Sequence, residues 1–446
     1  MLKIGSGAGF SGDRLEPAID LARNVDLNYL ILECLAERTI AIAQKEKKND
    51  PNKGYDPLLG ERMYSLLPIL DEKRFRIISN MGAANPVGAA NKIIDIANEL
   101  NISCTVAVVI GDDVLQVLND EDNILENSNK VKDYKTIISA NAYLGVEALL
   151  PALKTEADII ITGRVADPSL FLAPIIHYYG WSIDDYEKIG QGTVIGHLLE
   201  CAGQITGGYY ADVGKKEVPN LEDLGFPYAI VDKNGSAIIN KTANSGGILN
   251  LQTVKEQLLY EVHDPSQYLT PDVTADFSNV VLTEIAPNQV KVTGGTGYKK
   301  PSHYKVSIGY NAGYLSEGEI SYAGSSAVER GRLAENILKR RLSSKIADLR
   351  IDLIGLSSIH RTSFGDSYPY EIRLRAAALC KNEEDARRIG NEVEALYTNG
   401  PYGGGGARKR VSECIGVVST FLPRELVDKQ VKVEVYRDEK QQNKII

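Results

Sequence analysis

The first 206 residues alternate between short apolar runs and segments in which apolar residues recur every three or four positions. The runs are continuous, which is typical of parallel strands that are buried on both faces of a sheet. They cover residues 2–6, 28–33, 75–79, 103–111, 136–140 and 158–162. Helical periodicity covers residues 14–23, 34–44, 57–70, 87–100 and 145–153. This order predicts an α/β fold with a doubly wound parallel sheet. A β/α barrel-like fold is the alternative, although six strands fall short of eight.

The pattern changes beyond residue 206, where apolar and polar residues alternate within strands that are separated by turn signals. Residues 327–342 form a long amphipathic pattern, and a second helix is expected near residues 383–397. These features predict an α+β region with ferredoxin-like halves after the N-terminal sheet. We therefore expect two domains, residues 1–206 and residues 207–446, and place the ligand-binding loops of the first domain at the ends of its strands.

Composition narrows the class of protein. The 446 residues include 50 basic and 59 acidic ones, for a net charge of -9, which argues against a nucleic-acid partner. No run of about 18 apolar residues exists, so we expect no membrane span. The five cysteines are scattered and form no CxxC pair, which favours a reducing, cytoplasmic location. A soluble enzyme of this length is also expected to form a homo-oligomer.

The first strand runs into a glycine-rich loop, Gly7-Ala8-Gly9-Phe10-Ser11-Gly12. In α/β sheets, ligands bind beyond the carboxyl ends of the strands, so Gly7, Gly9, Ser11 and Gly12 are candidate binding residues. The spacing G-x-G-x-x-G, with Glu33 at the end of the second strand, fits a dinucleotide site. However, Asp13 places a negative charge where it would oppose a phosphate. A turn that leaves space for another ligand is the preferred interpretation.

Two further strand ends carry candidate residues. The loop from Asn80 to Pro86 opens a helix, and its free N–H groups suggest that Asn80, Gly82 and Asn85 hold a carboxylate or phosphate. Arg164 follows the sixth strand and is suited to a bidentate contact with a carboxylate. Asp167, just before a proline, is either an acid/base residue or a helix N-cap. Gly, Asn and Asp also form ordinary turns, so the hypothesis rests on several such loops occurring together.

His197, Glu200, Cys201 and Gln204 are spaced so that, on a helix, they share one face. His197 and Glu200 are therefore candidate acid/base residues, and a buried, structural histidine is the alternative. The other histidines form no close-spaced pair, so we expect no metal site. In the second half, Gly403, Gly404, Gly405 and Gly406 precede Arg408. This loop is a candidate for binding a phosphate or a coenzyme A diphosphate, and a flexible hairpin tip is the alternative.

The motifs GSGAGFSGDR, LAERTIA, NMGAANP, ITGRVADPSLFLAP, GHLLECAGQITGGYYAD and PYGGGGARKRV together resemble the acyclic terpene utilisation AtuA family. The resemblance covers nearly the whole chain. It implies cytoplasmic catabolism of branched acyl compounds, since the family is named from bacterial pathways that degrade citronellol and geraniol as coenzyme A thioesters. It implies no defined reaction and supplies no established catalytic residues.

Three hypotheses follow. The first is a catabolic enzyme, of lyase or hydro-lyase type, that acts on a branched carboxylic acid or its coenzyme A thioester. Arg164 and Arg408 would bind anionic groups, and Glu33, His197, Glu200 and Asp167 would serve the chemistry. The second is an NAD(P)-dependent oxidoreductase, which rests on the glycine loop and Glu33. The third is a non-catalytic ligand-binding or scaffold subunit. The sequence leaves the cofactor open.

Overall fold

The computed structural model describes residues 1–362 and 368–437. Within them, the strands are β1 (Leu2–Ala8), β2 (Tyr29–Leu32), β3 (Arg76–Ser79), β4 (Thr105–Ile110), β5 (Ile137–Ala142), β6 (Ile159–Thr162), β7 (Pro227–Val231), β8 (Ala237–Lys241), β9 (Tyr268–Leu269), β10 (Thr274–Asp276), β11 (Val281–Ala286), β12 (Gln289–Thr293), β13 (Thr296–Tyr298), β14 (His303–Ala323), β15 (Arg350–Ile354), β16 (Glu371–Cys380), β17 (Gly405–Pro423) and β18 (Lys432–Arg437). The α-helices are α1 (Glu16–Asn24), α2 (Glu37–Asn49), α3 (Leu59–Lys73), α4 (Pro86–Glu99), α5 (Val146–Leu153), α6 (Asp167–Tyr179), α7 (Tyr186–Leu199), α8 (Leu251–Leu259), α9 (Ala327–Leu342), α10 (Glu383–Glu394), α11 (Leu396–Asn399) and α12 (Arg424–Asp428).

The chain forms two compact units. Among the described residues, the first contains residues 1–309 and 417–437, and the second lies within Tyr310–Gly416. The chain leaves the first unit within β14 and returns to it within β17. Residues 207–309 thus continue the same unit as residues 1–206. The boundary that the sequence predicts at residue 206 stays a prediction.

A ten-stranded open sheet forms the centre of the first unit, in the order β11-β12-β8-β7-β1-β2-β3-β6-β4-β18. The strands β1, β2, β3, β6 and β4 are parallel to their neighbours. Antiparallel strands extend this centre on both sides, with β7 pairing β1 and β18 pairing β4. The α/β prediction is confirmed, and because the sheet does not close, the barrel-like alternative is wrong.

The parallel strands are buried because helices cover both of their faces. On one face, α1, α3 and α4 contribute Leu21, Leu66 and Ile93 to a cluster with strand residues such as Ile77 and Val108. On the other side, α6 contacts β1 and β2, and α5 contacts β4. Each fully buried leucine or isoleucine stabilises the fold by about 1.5–3 kcal/mol relative to an exposed one. Burial on both faces explains why these strands are continuous apolar runs.

Two groups of strands belong to other sheets than the sequence pattern suggests. β5 does not join the ten-stranded sheet and instead pairs with β14. Strands that follow residue 206, namely β7, β8, β11 and β12, join the same sheet as the N-terminal strands. Apolar runs identify strands but not their partners, since pairing between residues distant in the chain is decided by tertiary packing.

Apart from the short helix α11 before β17, the second unit has the element order β14, α9, β15, β16, α10, β17, with its strands in the order β15-β16-β14-β17. This is the β-α-β-β-α-β arrangement of ferredoxin-like folds. Helices α9 and α10 pack on β16, where Ile372, Leu374 and Ala376 are buried with Leu338 and Ile389. Within the described residues, no helix is long and apolar enough to cross a membrane.

Helix α7 contacts the small sheet β13-β10-β9 through a glycine, which gives a test of this packing. A β-carbon on Gly190 would lie 2.0 Å from the backbone oxygen of Thr296, whereas one on Gly60 of α3 would meet only the Lys92 side chain at 3.8 Å. We expect Gly190→Ala to lower the free energy of unfolding by about 2 kcal/mol or more, because the backbone at Gly190 or Thr296 must move to make room for the methyl group. Gly60→Ala should raise it by about 0.5 kcal/mol. Urea denaturation measures both. Equal effects of the two substitutions would contradict the packing described.

Candidate active site

A cavity of about 870 Å³ lies in the first unit, at the carboxyl ends of the parallel strands. Gly9 follows β1, Glu33 follows β2 and Arg164 follows β6, and all three line the cavity. Its acidic lining residues are Glu33, Glu37, Asp167, Glu200 and Glu261, and its arginine and lysine are Arg164 and Lys305. Apolar and aromatic side chains, among them Phe10, Leu35, Tyr268 and Phe421, complete the wall. The cavity therefore combines an apolar lining with an excess of carboxyl groups.

The loop after β1 forms one wall through Gly9, Phe10 and Ser11. A β-carbon on Gly9 would lie 2.5 Å from the backbone carbon of Cys201, so only glycine allows the two segments to approach this closely. The buried Arg62 of α3 fixes the position of this loop, since its Nη2 donates hydrogen bonds to the backbone oxygens of Ser11 (3.1 Å) and Asp13 (2.8 Å).

The same loop lacks the geometry of a dinucleotide turn. Gly7 lies inside β1, where a β-carbon would meet the side chain of Leu32 at 2.7 Å. The N–H of Gly9 donates to the Asp13 carboxylate at 2.9 Å, which occupies the position that a pyrophosphate would need. Gly12 packs against the ring of Phe10, and α1 begins only at Glu16. The glycines of this loop thus serve close packing and the turn.

Glu33 is buried at the end of β2, with a relative exposure of 7%. Its Oε1 accepts hydrogen bonds from Asn80 Nδ2 (2.8 Å) and from the backbone N–H of Leu35 (2.9 Å). Burial raises the pKa of Glu33 well above its usual range, and the nearby Asp167 raises it further, while Arg164 lowers it. Asn80 therefore positions Glu33, and its own Oδ1 accepts from the N–H of Cys34 at 2.7 Å.

Arg164 is fully buried, and protein atoms hold its guanidinium on every side. Nε donates to the Val165 oxygen at 3.0 Å, Nη1 donates to the Leu35 oxygen, and Nη2 donates to Oδ1 of Asp167. Its Cζ lies 4.3 Å from the centre of the Tyr143 ring. Burial would lower the pKa of Arg164, but the charges of Asp167 and its neighbours raise it, so the guanidinium stays protonated.

Asp167 is the first residue of α6, and Ala166 occupies the N-cap position. Its half-buried carboxyl faces both the cavity and Arg164. Burial raises the pKa of Asp167, with Arg164 acting in the opposite direction and Glu37 adding to the rise. Asp167 therefore lies between the buried guanidinium and the other carboxyl groups.

His197 and Glu200 form a buried pair, in which Nδ1 of His197 and Oε1 of Glu200 are 2.9 Å apart. Oε2 of Glu200 has no hydrogen-bond partner, and Glu200 lines the cavity. Burial raises the pKa of Glu200 to about 7, against the lowering effect of His197. The His197 ring packs against Tyr268 and Phe277, each with its centre 5.4 Å away. A carboxyl with this pKa exchanges protons readily near neutral pH.

Helix α7 ends at Leu199, so the single helical face predicted for residues 197–204 is wrong beyond Glu200. Cys201 nevertheless lines the cavity, next to Gly9. Burial raises the pKa of the Cys201 thiol, and the charge of Glu200 adds to the rise. The thiol is therefore protonated at neutral pH and is a poor nucleophile.

The remaining candidates from the sequence have other surroundings. Asn85 caps its own helix through the N–H of Gly88 and holds the backbone oxygens of Pro51 and Lys53. Gly82 allows a close approach to the Thr162 oxygen. The glycine loop Gly403, Gly404, Gly405 and Gly406 and the exposed Arg408 belong to the second unit, whereas the cavity is lined by residues of the first. In the second unit, Arg330 donates to the Tyr402 oxygen at 3.0 Å and supports this loop.

The structure adds Glu37, Tyr143, Lys305, Tyr268 and Glu261, which sequence reasoning missed. The Tyr143 hydroxyl donates to Oε1 of Glu37, and the N–H of Tyr143 donates to the Lys305 oxygen at 2.9 Å. Burial acts to raise the pKa of Glu37, but the Tyr143 hydrogen bond and the charges of Arg164 and Lys305 outweigh it, so this pKa is lowered. Glu37, in the matched segment LAERTIA, was the one residue with a visible signal, since it follows Glu33 closely at the end of β2.

No group of three or more His, Cys, Asp or Glu side chains within the described residues has a geometry that could hold a metal ion. The residues provide a buried arginine next to carboxyl groups with altered pKa values, in a cavity at the carboxyl ends of the parallel strands of an α/β sheet.

The model of the acyclic terpene utilisation family protein AtuA matches residues 2–433, and the chain belongs to this family. Comparison with curated proteins and with solved structures found no match.

The raised pKa of Glu200 has a consequence for stability. The pKa of Glu200 rises from 4.5 to about 7 on folding. The stabilisation that protonated Glu200 gives the folded state is therefore fully present below about pH 4.5 and is lost as the pH rises through about 7. We expect Glu200→Gln, which cannot ionise, to be about 1–3 kcal/mol more stable than the wild type at about pH 8, relative to their difference at acidic pH.

Urea unfolding of the two proteins across this pH window measures the effect. The exposed Glu72 of α3 offers the matched control, since Glu72→Gln makes the same substitution away from the cavity. A pH-independent difference for Glu200→Gln would contradict the raised pKa.

Proposed function

We propose that this protein is a cytoplasmic catabolic enzyme that moves protons on a branched carboxylic acid or its acyl-coenzyme A thioester, as a lyase or hydro-lyase. Membership of the terpene utilisation family supports the catabolic role. All five cysteines are unpaired, in keeping with a reducing compartment. We propose that it acts as a homo-oligomer.

The unpartnered carboxyl oxygen of Glu200 carries this proposal. It is buried, it belongs to a residue that lines the cavity, and the pKa of Glu200 is raised to about 7. A buried polar atom without a partner is costly in a folded protein, so such atoms are candidates for function. A ligand that enters the cavity would supply the missing partner.

The carboxyl cluster supports paired acid and base chemistry. Burial and the charge of Asp167 raise the pKa values of both Glu33 and Glu200, and the buried Arg164 is the one guanidinium among the lining residues. They therefore do not all ionise together near neutral pH, and the cluster retains at least one proton. An elimination needs this mixed state, with one carboxylate to accept a proton and one carboxylic acid to donate one.

In the step that we propose, a carboxylate takes the proton from the carbon next to the substrate carbonyl. The electron pair of that C–H bond forms the C=C bond, and the C–O bond to the departing hydroxyl breaks. A protonated carboxyl of the cluster donates its proton to that hydroxyl, which leaves as water. Glu200 and Glu33 are the acid/base residues, His197 and Asn80 position them, and Arg164 with Asp167 maintains the charge balance.

Exchange with solvent deuterium tests the proposal without knowledge of the product. We expect wild-type protein in D₂O to exchange the hydrogen next to the carbonyl of 3-methylbutanoyl-coenzyme A or of 3-hydroxy-3-methylbutanoate, followed by NMR. The rate should rise as the pH rises through about 7, because Glu200 must lose its proton to act as a base. Glu200→Gln and Glu33→Gln should each slow it by about 100-fold or more.

Glu72→Gln on the exposed face of α3 removes a carboxyl of the same type and should leave the exchange rate unchanged. No exchange by wild-type protein with either compound, or unchanged exchange in Glu200→Gln, would refute the proposed chemistry.

A further inference from the structure

Arg164 and Lys305, the arginine and the lysine that line the cavity, differ in how many of their donors are free to bind a ligand. Arg164 has a side-chain exposure of 1%, and its nitrogens donate to Val165, Leu35 and Asp167. Recruiting it for a substrate would require breaking these buried bonds, which leaves polar groups unpaired. Arg164 can therefore make the bidentate contact with a carboxylate that the sequence suggests only if its bonds to Val165, Leu35 and Asp167 rearrange.

Lys305 is in the opposite situation. Its side chain is 45% exposed, and its Nζ lies 3.5 Å from Oε1 of Glu37 and 4.9 Å from the centre of the Tyr143 ring. The same Glu37 oxygen already accepts a hydrogen bond from Tyr143, so Lys305 shares it. An ammonium has three donors, and these contacts leave donors of Lys305 able to meet a ligand.

The residues that line the cavity differ in how deeply they are buried. Lys305 and its neighbours Ser302 and His303 are exposed, whereas Glu33 and Glu200 have relative exposures of 7% and 9%. Lys305 therefore lies on the exposed part of the wall, the mouth, next to the half-buried Glu37, whereas Glu33 and Glu200 lie on the buried part, the floor. A negatively charged group would be repelled by carboxylates at the floor and can meet the ammonium of Lys305 at the mouth, while an uncharged group can approach the floor without that repulsion.

We propose that Lys305 selects for substrates with an anionic oxygen group and holds that group at the mouth of the cavity, so that the uncharged reacting part lies against Glu33 and Glu200. This inference rests on the proposed function, because it orients the ligand of the same site. The anionic group is either a carboxylate of the substrate or a phosphate of coenzyme A, and both offer the same negatively charged oxygens to an ammonium.

The test uses ligand pairs that share an acyl group and differ in negative charge, in calorimetric titrations of the full chain. The first pair is 3-methylbutanoate and its uncharged methyl ester. The second is 3-methylbutanoyl-coenzyme A and the pantetheine thioester of the same acid, which lacks the phosphates and the adenosine. Lys305→Gln should weaken binding of the charged member of one pair by about tenfold and leave its uncharged partner unchanged. Which pair responds identifies the carboxylate or the phosphate.

Two variants separate charge from structure. Lys305→Arg keeps the positive charge and should bind the charged ligand within about threefold of the wild type. Lys291→Gln removes an exposed lysine from β12, outside the cavity lining, and should bind every ligand as the wild type does. A general loss of negative-ligand binding in Lys291→Gln would show that net charge, not Lys305, is responsible, and would overturn the inference.

The outcomes distinguish the inference from the proposed function. If wild-type protein binds a charged ligand and Lys305→Gln binds it equally well, the role of Lys305 is refuted while the proposed function stands. If Lys305→Gln weakens charged and uncharged members equally, selection for charge is refuted as well. If wild-type protein binds none of the four compounds, the proposed function falls and the inference with it.

Discussion

A buried guanidinium organises the candidate site. Arg164 has almost no contact with water, so its charge must be balanced and its donors must be bonded by protein. The carboxyl of Asp167 and two backbone oxygens meet that requirement. They tie together the ends of β2 and β6 and the start of α6, since Leu35 follows β2 and Val165 follows β6. Glu33 and Glu200 are buried near the charge of Asp167, so burial and that charge both favour their protonated forms.

Much of this arrangement could be predicted from the sequence, because parallel strands bring their carboxyl ends to one edge. That rule accounts for Gly9, Glu33 and Arg164, which are far apart in the chain and line one cavity. It does not distinguish side chains that face a ligand from those that support the loop. Asn80 directly follows β3 and Asn85 caps α4. Asn80 donates to the carboxyl of Glu33 in the cavity, whereas Asn85 donates to backbone oxygens.

Two of the residues that sequence reasoning missed share a cause. Tyr143 and Lys305 meet because β5 pairs with β14, a contact between segments more than 150 residues apart. Apolar patterning identifies β5 as a strand, but it is equally compatible with a place in the large sheet. The same ambiguity hid the strands β7, β8, β11 and β12 in that sheet. Local patterns determine element type, while long-range pairing needs the complementary surfaces of the folded chain.

The second unit is an insertion whose two ends are neighbours. The chain enters it at Tyr310 and leaves it at Gly416, and a β-carbon on Gly416 would lie 2.4 Å from the Tyr310 ring. An inserted segment with adjacent ends places little demand on the fold that hosts it, because the host strands need only a short closure between them. Every residue that lines the cavity lies outside the insertion. A deletion or exchange confined to the inserted unit would therefore remove none of the residues that line the cavity.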